Sequence, residues 1–343
     1  MMKQVLIVLG LISVNLLQSP ISYAISEKNY EQDYQTIVSP FLKSGEQFTF
    51  QSADGNLVLS AVKFIHPKEK GLIVVVNGQS EPWLKYGEVF YDLYQKGFSV
   101  YSYDHRGQGL SPHLGAQNSQ IGHVDEFMQY TLDLNEFMEK VIKPVHPESK
   151  NLFLLAHSMG GGISAEYLEL FNSPFQAVVL NAPMLRINTK PYPEKVARTI
   201  VALSKTVGMG KHYALGKHDY NCKGSFETNK VTGSRARWWM NNFICKTYPQ
   251  TIIGGPSSGW VNESLHETKK IRSKASNIKA KTLILQAGLD QFVVNEAEDE
   301  ACSQMAKCHL ISFPDAQHEI LMEQDSIRDS AFQQIESFFH PHE

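Results

Sequence analysis

The 343-residue sequence predicts an α/β fold, with a mainly parallel sheet, helices on both faces and an inserted cap. Three observations predict it. Short, wholly apolar runs recur along the chain, as strands buried on both faces require. Each run ends at a turn rich in Gly, Asn or Asp, and segments with helical apolar spacing lie between the runs. The rhythm breaks once, over about 184–276, and then resumes, which marks a segment inserted into the sheet order.

The first 24 residues stand apart. Met1-Met2-Lys3 is a positive start, an apolar run opens at Val5 and fades by Leu17, and Ser22-Tyr23-Ala24 offers small residues where a signal peptidase reads them. The run is short for a membrane span of roughly 20 residues. No cysteine follows it, which argues against a lipid-anchored terminus. Residues 1–24 therefore read as a signal peptide, and the chain is expected to be exported to the periplasm or secreted. Residues 25–343 then form a single domain with its cap. The Ser-, Asn- and Tyr-rich stretch that follows reads as a linker.

The remaining elements follow in order. Residues 46–50 alternate like an exposed antiparallel strand, Asp54-Gly55 turns the chain, and 57–64 pair back. Residues 71–76 are the first fully apolar strand, and a helix is expected across 86–96. The strand at 98–103 runs into Asp104-His105-Arg106-Gly107-Gln108-Gly109. Phe127, Tyr130, Leu134, Phe137 and Met138 give 123–141 helical spacing. Strands at 151–155 and 175–180 precede the cap. Strands at 281–286 and 308–313, an acidic helix near 295–306 and a closing helix over 327–339 complete the fold.

Composition narrows the function. A chain 42% hydrophobic and 20% charged is an ordinary globular protein. Its net charge of −3 is scattered, with no basic stripe, so nucleic acid is not an expected partner. No spacing of His and Cys suggests a metal site, and no cofactor is expected. Cys222, Cys245, Cys302 and Cys308 permit disulfides in an oxidising compartment. Of three possible pairings, the most local joins Cys222 to Cys245 and Cys302 to Cys308. Oligomeric state is not legible.

The chemistry centres on Ala156-His157-Ser158-Met159-Gly160. It follows an apolar strand and precedes a helix, and small neighbours let the turn tighten. This resembles the nucleophile elbow of α/β-hydrolases, in which chain order runs Ser, acid, His. The acid should follow a late strand, and Gln286-Ala287-Gly288-Leu289-Asp290 supplies Asp290. Glu296, Asp299 and Asp315 are placed less well. The base should follow the last strand, where the loop after Phe313 carries His318. Ser158 would attack, His318 would move its proton, and Asp290 would orient the imidazole. The oxyanion would take the backbone N–H of Met159 and that of Gln79, beside Gly78. His157 should point away from the reaction, and Asp104 and Arg106 should brace the backbone beneath it.

The stretches 103–111, 155–161, 286–290 and 316–321 resemble those of monoglyceride-lipase-like α/β-hydrolases, most closely bacterial lysophospholipases of the PldB type. The likeness extends into the cap at Phe226-Glu227-Thr228-Asn229, Thr232, Ser234-Arg235 and Gly255-Pro256. Related enzymes commonly carry histidine where this chain has Asn77. The resemblance implies a serine ester hydrolase that releases fatty acid from single-chain lipids, foremost lysophospholipids. A monoacylglycerol lipase or general carboxylesterase is the alternative, and a catalytically silent lipid-binding protein on the same fold is the non-enzymatic one. In the cap, Trp238, Trp239 and Trp260 are candidates for an acyl channel or a transient membrane contact. Arg235 and Arg237 are candidates to meet a phosphate.

Overall fold

The computed structural model describes residues 25–115, 120–148 and 150–339; the expected signal peptide lies outside them. Its centre is an eight-stranded sheet. A first hairpin pairs β1 (Glu46–Gln51) with β2 (Val58–Phe64) in antiparallel register, Phe48 opposite Ala61. Then come β3 (Gly71–Val76), β4 (Phe98–Tyr103), the two-residue β5 (Ile121–Gly122), β6 (Leu152–His157) and β7 (Ala177–Asn181). The two-residue β8 (Gly255–Pro256), β9 (Thr282–Ala287) and β10 (Cys308–Phe313) follow. The order across the sheet is β1-β2-β4-β3-β6-β7-β9-β10, and every pairing from β4 to β10 is parallel.

The apolar runs explain this order. In β3, β4, β6, β7 and β9 every residue is buried, because alternate side chains enter two different cores. Ile73, Val75, Phe153, Leu155, Val179, Leu283 and Leu285 face one core. Leu72, Val74, Leu152, Leu154, Val178, Leu180 and Ile284 face the other. The outer strand β10 is only partly buried.

The segment expected to be a linker is instead helical. Short turns include α1 (Tyr30–Asp33) and α2 (Ser39–Ser44), and Tyr30, Tyr34, Val38 and Leu42 enter the first core. Four apolar residues spaced by four place one helical face against it. Polar neighbours hide that spacing in the sequence.

The first core is covered by α3 (Gly87–Gln95) and the closing helix α10 (Asp325–Phe339). The second is covered by α4 (Met128–Phe137), α5 (Met159–Leu170) and α9 (Asn295–Gln304). Between β7 and β9 lie α6 (Glu194–Thr206), α7 (Arg235–Thr247) and α8 (Ser258–Lys274). Trp260 and Ile271 of α8 join the second core, and α8 packs on α5 and α9. Helix α8 also packs along α6, and so joins the insertion to the helices that cover the sheet. The stretch before α8 is tied down where β8 pairs with β5.

Both local disulfides form: Cys222 with Cys245, and Cys302 with Cys308. The first fastens the irregular stretch before α7 to α7 itself, and the second joins α9 to β10.

Candidate active site

Ser158 sits between β6 and α5 with φ of 52°, a left-handed conformation that a serine adopts only when its surroundings impose it. Gly160 shows what imposes it. A Cβ at this position would lie 2.3 Å from the Val76 carbonyl oxygen and 2.6 Å from that of Asn77, so α5 approaches β3 at a distance only glycine allows. Gly161 and Gly162 serve the same close packing, against Pro183 and Met184.

Three loops at the carboxyl ends of β6, β9 and β10 bring Ser158, Asp290 and His318 into line. Ser158 Oγ donates to His318 Nε2 at 2.8 Å, and His318 Nδ1 donates to Asp290 Oδ2 at 2.6 Å. Asp290 Oδ1 accepts the backbone N–H groups of Phe292 and Val293, at 2.7 and 3.0 Å. Burial alone would raise the Asp290 pKa, but the hydrogen bond and charge of His318 outweigh it and hold the carboxyl below its ordinary range. The His318 ring rests between Phe292 and His157, with centroids 5.0 and 4.9 Å away.

Two backbone donors stand beside the serine. Met159 is the first residue of α5, so its N–H has no partner within the helix. Gln79 lies on the loop after β3, and no group among the described residues takes its N–H. The pair fits the geometry of an oxyanion hole.

A buried ionic network joins these loops, and most of it escaped the sequence reading. Glu81 Oε2 accepts from Gly78 N at 2.8 Å, Tyr86 Oη at 2.7 Å and His157 Nδ1 at 2.9 Å. Lys85 Nζ donates to Glu81 Oε1 and to Glu319 Oε1, each at 2.6 Å. His157 Nε2 faces the His318 carbonyl oxygen at 3.3 Å. Both ring nitrogens of His157 therefore face groups that only accept, an arrangement that favours the imidazolium. Burial opposes that charge, the Glu81 carboxylate overcomes it, and the His157 pKa is raised. One carboxylate thus links the oxyanion loop, the residue before the nucleophile and, through Lys85, the residue after the histidine. The partners lie 4, 76 and 234 residues apart. Among them, only the i, i+4 spacing of Glu81 and Lys85 is a local signal.

Asp104 and Arg106 brace the neighbouring backbone. Asp104 accepts from Trp83 N and Leu110 N at 2.6 and 2.7 Å, and burial pushes its carboxyl up to about 7. Arg106 holds Asp133 through Nε and Nη2, at 2.6 and 2.7 Å. Asn77 donates to the Glu81 carbonyl oxygen and to Asp104, and so helps fold the oxyanion loop.

The cap candidates separate. Trp238 lines a cavity beside Ser80 and Glu319. Trp239 does not: it packs on Tyr30, Tyr34 and Phe243, because its face of α7 turns toward the N-terminal helices. Trp260 is buried in the second core. Arg237 is wholly buried and is not available to a phosphate. Its guanidinium is taken by Glu88 at 2.9 Å, Asp325 at 2.8 Å and the Glu323 carbonyl oxygen at 2.7 Å. Arg235 is exposed, pairs with Glu227 at 2.6 Å and covers Phe226. Among the described residues no cluster of His, Cys, Asp or Glu is arranged to hold a metal ion.

Residues 67–325 match the family model described as serine aminopeptidase, S33. The chain belongs to the S33 family of α/β-hydrolases. It is a serine hydrolase by that membership. The chain is 32% identical over 315 residues to a protein named probable lysophospholipase L2 from Haemophilus influenzae, covering 90% of this chain and 97% of that one. It is 32% identical over 313 residues to lysophospholipase L2 of Escherichia coli, covering 89% and 90%. The fold matches a soluble variant of monoglyceride lipase from Saccharomyces cerevisiae with a TM-score of 0.68 at 16% identity, covering 87% of this chain and 94% of that one.

Proposed function

We propose that this S33 hydrolase releases fatty acid from single-chain lipids, with lysophospholipids as its principal substrates, through an acyl-enzyme on Ser158. The observation that carries the chemistry is the continuous hydrogen-bonded line Ser158–His318–Asp290 beside two unengaged backbone N–H groups. The substrate class is supported by 32% identity to proteins named lysophospholipase L2 over nine-tenths of the chain, cap included.

In this reading Ser158 Oγ attacks the ester carbonyl while His318 Nε2 takes its proton, and Asp290 stabilises the imidazolium. The tetrahedral oxyanion is held by Met159 N–H and Gln79 N–H. The carbon–oxygen bond to the glycerol then breaks, and His318 returns the proton to the departing alcohol oxygen. Water, activated by the same histidine, hydrolyses the acyl-enzyme and frees the fatty acid.

The cap supplies a means of approach to lipid. Leu203, Val207, Met209 and Leu215 expose apolar side chains in the last turn of α6 and the stretch after it, and Lys205 and Lys211 are exposed in the same stretch. Such a surface suits transient contact with a membrane. Export fits the two disulfides, which persist in oxidising compartments.

Hydrolysis of a lipid panel by residues 25–343 tests the reading. Fatty acid released from lysophospholipids faster than from monoacylglycerols, with diacyl phospholipids poor, is the expected result. A clear preference for monoacylglycerol would reassign the enzyme as a monoacylglycerol lipase.

A further inference from the structure

Helix α6 turns an apolar stripe toward solvent. Its packed face is marked by Val201, which is buried, and by Arg198 and Lys205, which reach the Leu265 carbonyl oxygen and Glu263 on α8. Val196, Ile200, Leu203 and Val207 recur at helical spacing on another face. Leu203 stands two residues from Val201, which is about 200° around the helix, so this face looks away from α8. Val196 is 44% exposed, Leu203 61% and Val207 73%. Met209 and Leu215 continue the exposed apolar surface beyond the helix. Single exposed apolar residues are ordinary, but a contiguous stripe of them marks a surface that meets a partner.

The chain that enters this helix runs beside the catalytic loops. Ile187 bridges Val293, and Asn188 N donates to the Phe292 carbonyl oxygen at 2.8 Å. Phe292 is itself the exposed ring beside His318. The stripe is also set in positive charge. Residues 190–223 hold seven Lys and Arg against two acids, a net of +5 on a chain of net −3. Glu263 and Asp125 from neighbouring segments pair with Lys205 and Lys211, at 2.8 and 3.2 Å. Lys190, Lys195, Lys217 and Lys223 are exposed, and none has a carboxylate partner among the described residues. Two copies of this surface would repel one another, whereas an anionic lipid surface takes up both the lysines and the apolar stripe. At 13 residues α6 is too short to span a bilayer, so the contact lies on the membrane and not across it.

We propose that α6 docks the enzyme on bilayers that carry anionic phospholipid. Val196, Ile200, Leu203 and Val207 enter the boundary between head groups and acyl chains, and the exposed lysines meet the lipid phosphates. Docking holds the Asp290 loop, and His318 with it, close to the surface from which a single-chain lipid leaves the bilayer. This inference rests on the lipid-hydrolase reading. It adds the partner surface, the sign of its charge and a dependence of turnover on membrane composition.

The test uses vesicle binding and turnover by residues 25–343. Protein carrying Ser158→Ala is floated with vesicles of phosphatidylcholine alone, or with about one third phosphatidylglycerol. Binding to the anionic vesicles should be at least about tenfold stronger, and about 0.5 M sodium chloride should remove the difference. Adding Leu203→Ser with Val207→Ser should weaken binding to anionic vesicles about tenfold. Adding Lys195→Gln, Lys217→Gln and Lys223→Gln should erase the preference for them. In the active enzyme, the two serine substitutions should lower kcat/KM about tenfold for lysophospholipid held in anionic vesicles. They should leave p-nitrophenyl butyrate hydrolysis and the melting temperature unchanged. Equal binding of both vesicle types by the Ser158→Ala protein overturns the proposal. So do serine substitutions that leave vesicle binding intact, or that lower only the sedimenting mass, which would make the stripe a contact between copies. Vesicle binding without lipid hydrolysis by the active enzyme would uphold the docking surface and refute the reaction assigned above. Lipid hydrolysis indifferent to vesicle charge and to the serine substitutions would do the reverse.

Discussion

Ser158 is where backbone strain and chemistry meet, and substitutions there and at its partners separate the two. Ser158→Ala should abolish ester hydrolysis while leaving the melting temperature within a few degrees, since only Oγ is removed. Retained activity against p-nitrophenyl esters would move the nucleophile elsewhere. Asp290→Asn should lower kcat on the order of 10³–10⁴-fold, because an amide disturbs the tautomer that presents Nε2 to serine. His157 makes a different prediction. Its raised pKa means that the folded state binds the proton more tightly than the unfolded chain. The stabilisation is fully present below about pH 6.5 and is lost as pH rises through the raised folded value. The melting temperature of the parent should therefore exceed that of His157→Gln most at acid pH, with the gap narrowing in alkaline buffer. A gap constant from pH 5 to pH 9 would mean that His157 is not charged. Ser158, Asp290 and His318 were legible because each follows an apolar strand at a turn. Glu81 and Glu319 were not, because their meaning lies in contacts across the chain.

At the scale of elements, α7 carries the clearest lesson about reading charge. Its two arginines stand two residues apart, so they point in different directions on the helix. Arg235 meets solvent, whereas Arg237 is the hub of a buried cluster with Glu88, Asp325 and, through Glu88, Arg328. Sequence gives both the same residue type and only tertiary packing divides them. Arg237→Ala should cost about 3–5 kcal/mol in urea unfolding, because it leaves Glu88 buried against a reduced positive charge. A loss below about 1 kcal/mol would make the cluster dispensable. A second buried contact joins α5 to α8, where Glu166 lies beside Glu267. Burial and that neighbour push Glu166 up to about 7. The folded state therefore holds a proton that the unfolded chain releases near pH 4.5, and stability should fall as pH rises from there through about 7. Glu166→Gln should raise the melting temperature about 2–4 °C at pH 8 and little at pH 5. An equal effect at both pH values would exclude protonation as the cause.

Across the whole molecule, the parallel sheet and its two cores were legible because apolar runs of five or six residues have few other fates. The insertion itself was legible as a break in the rhythm of those runs, but the internal structure of the cap and the N-terminal helices were not, since their apolar residues are diluted among polar ones and find partners far along the chain. The disulfides act on these two levels differently. Cys222–Cys245 closes a separation of 23 residues and Cys302–Cys308 one of 6, which correspond to about 3 and about 2 kcal/mol of chain entropy. Reduction should raise amide exchange first around residues 217–230, while β3, β6 and β7 stay protected. Uniform loss of protection would show that the cap is not a separate unit of stability. The N-terminal helices have a consequence in time. Glu27 exchanges hydrogen bonds with Asp325, accepts from Ser234 Oγ, and lies near Tyr30, which bonds to Glu88. A ribosome makes residue 27 early and residue 325 almost last, so the hydrogen bonds between Glu27 and Asp325 must wait for nearly the entire chain to arrive. They are the closing stitch of the fold, and a bulky fusion placed just before residue 25 should slow that final docking more than one placed at the other end.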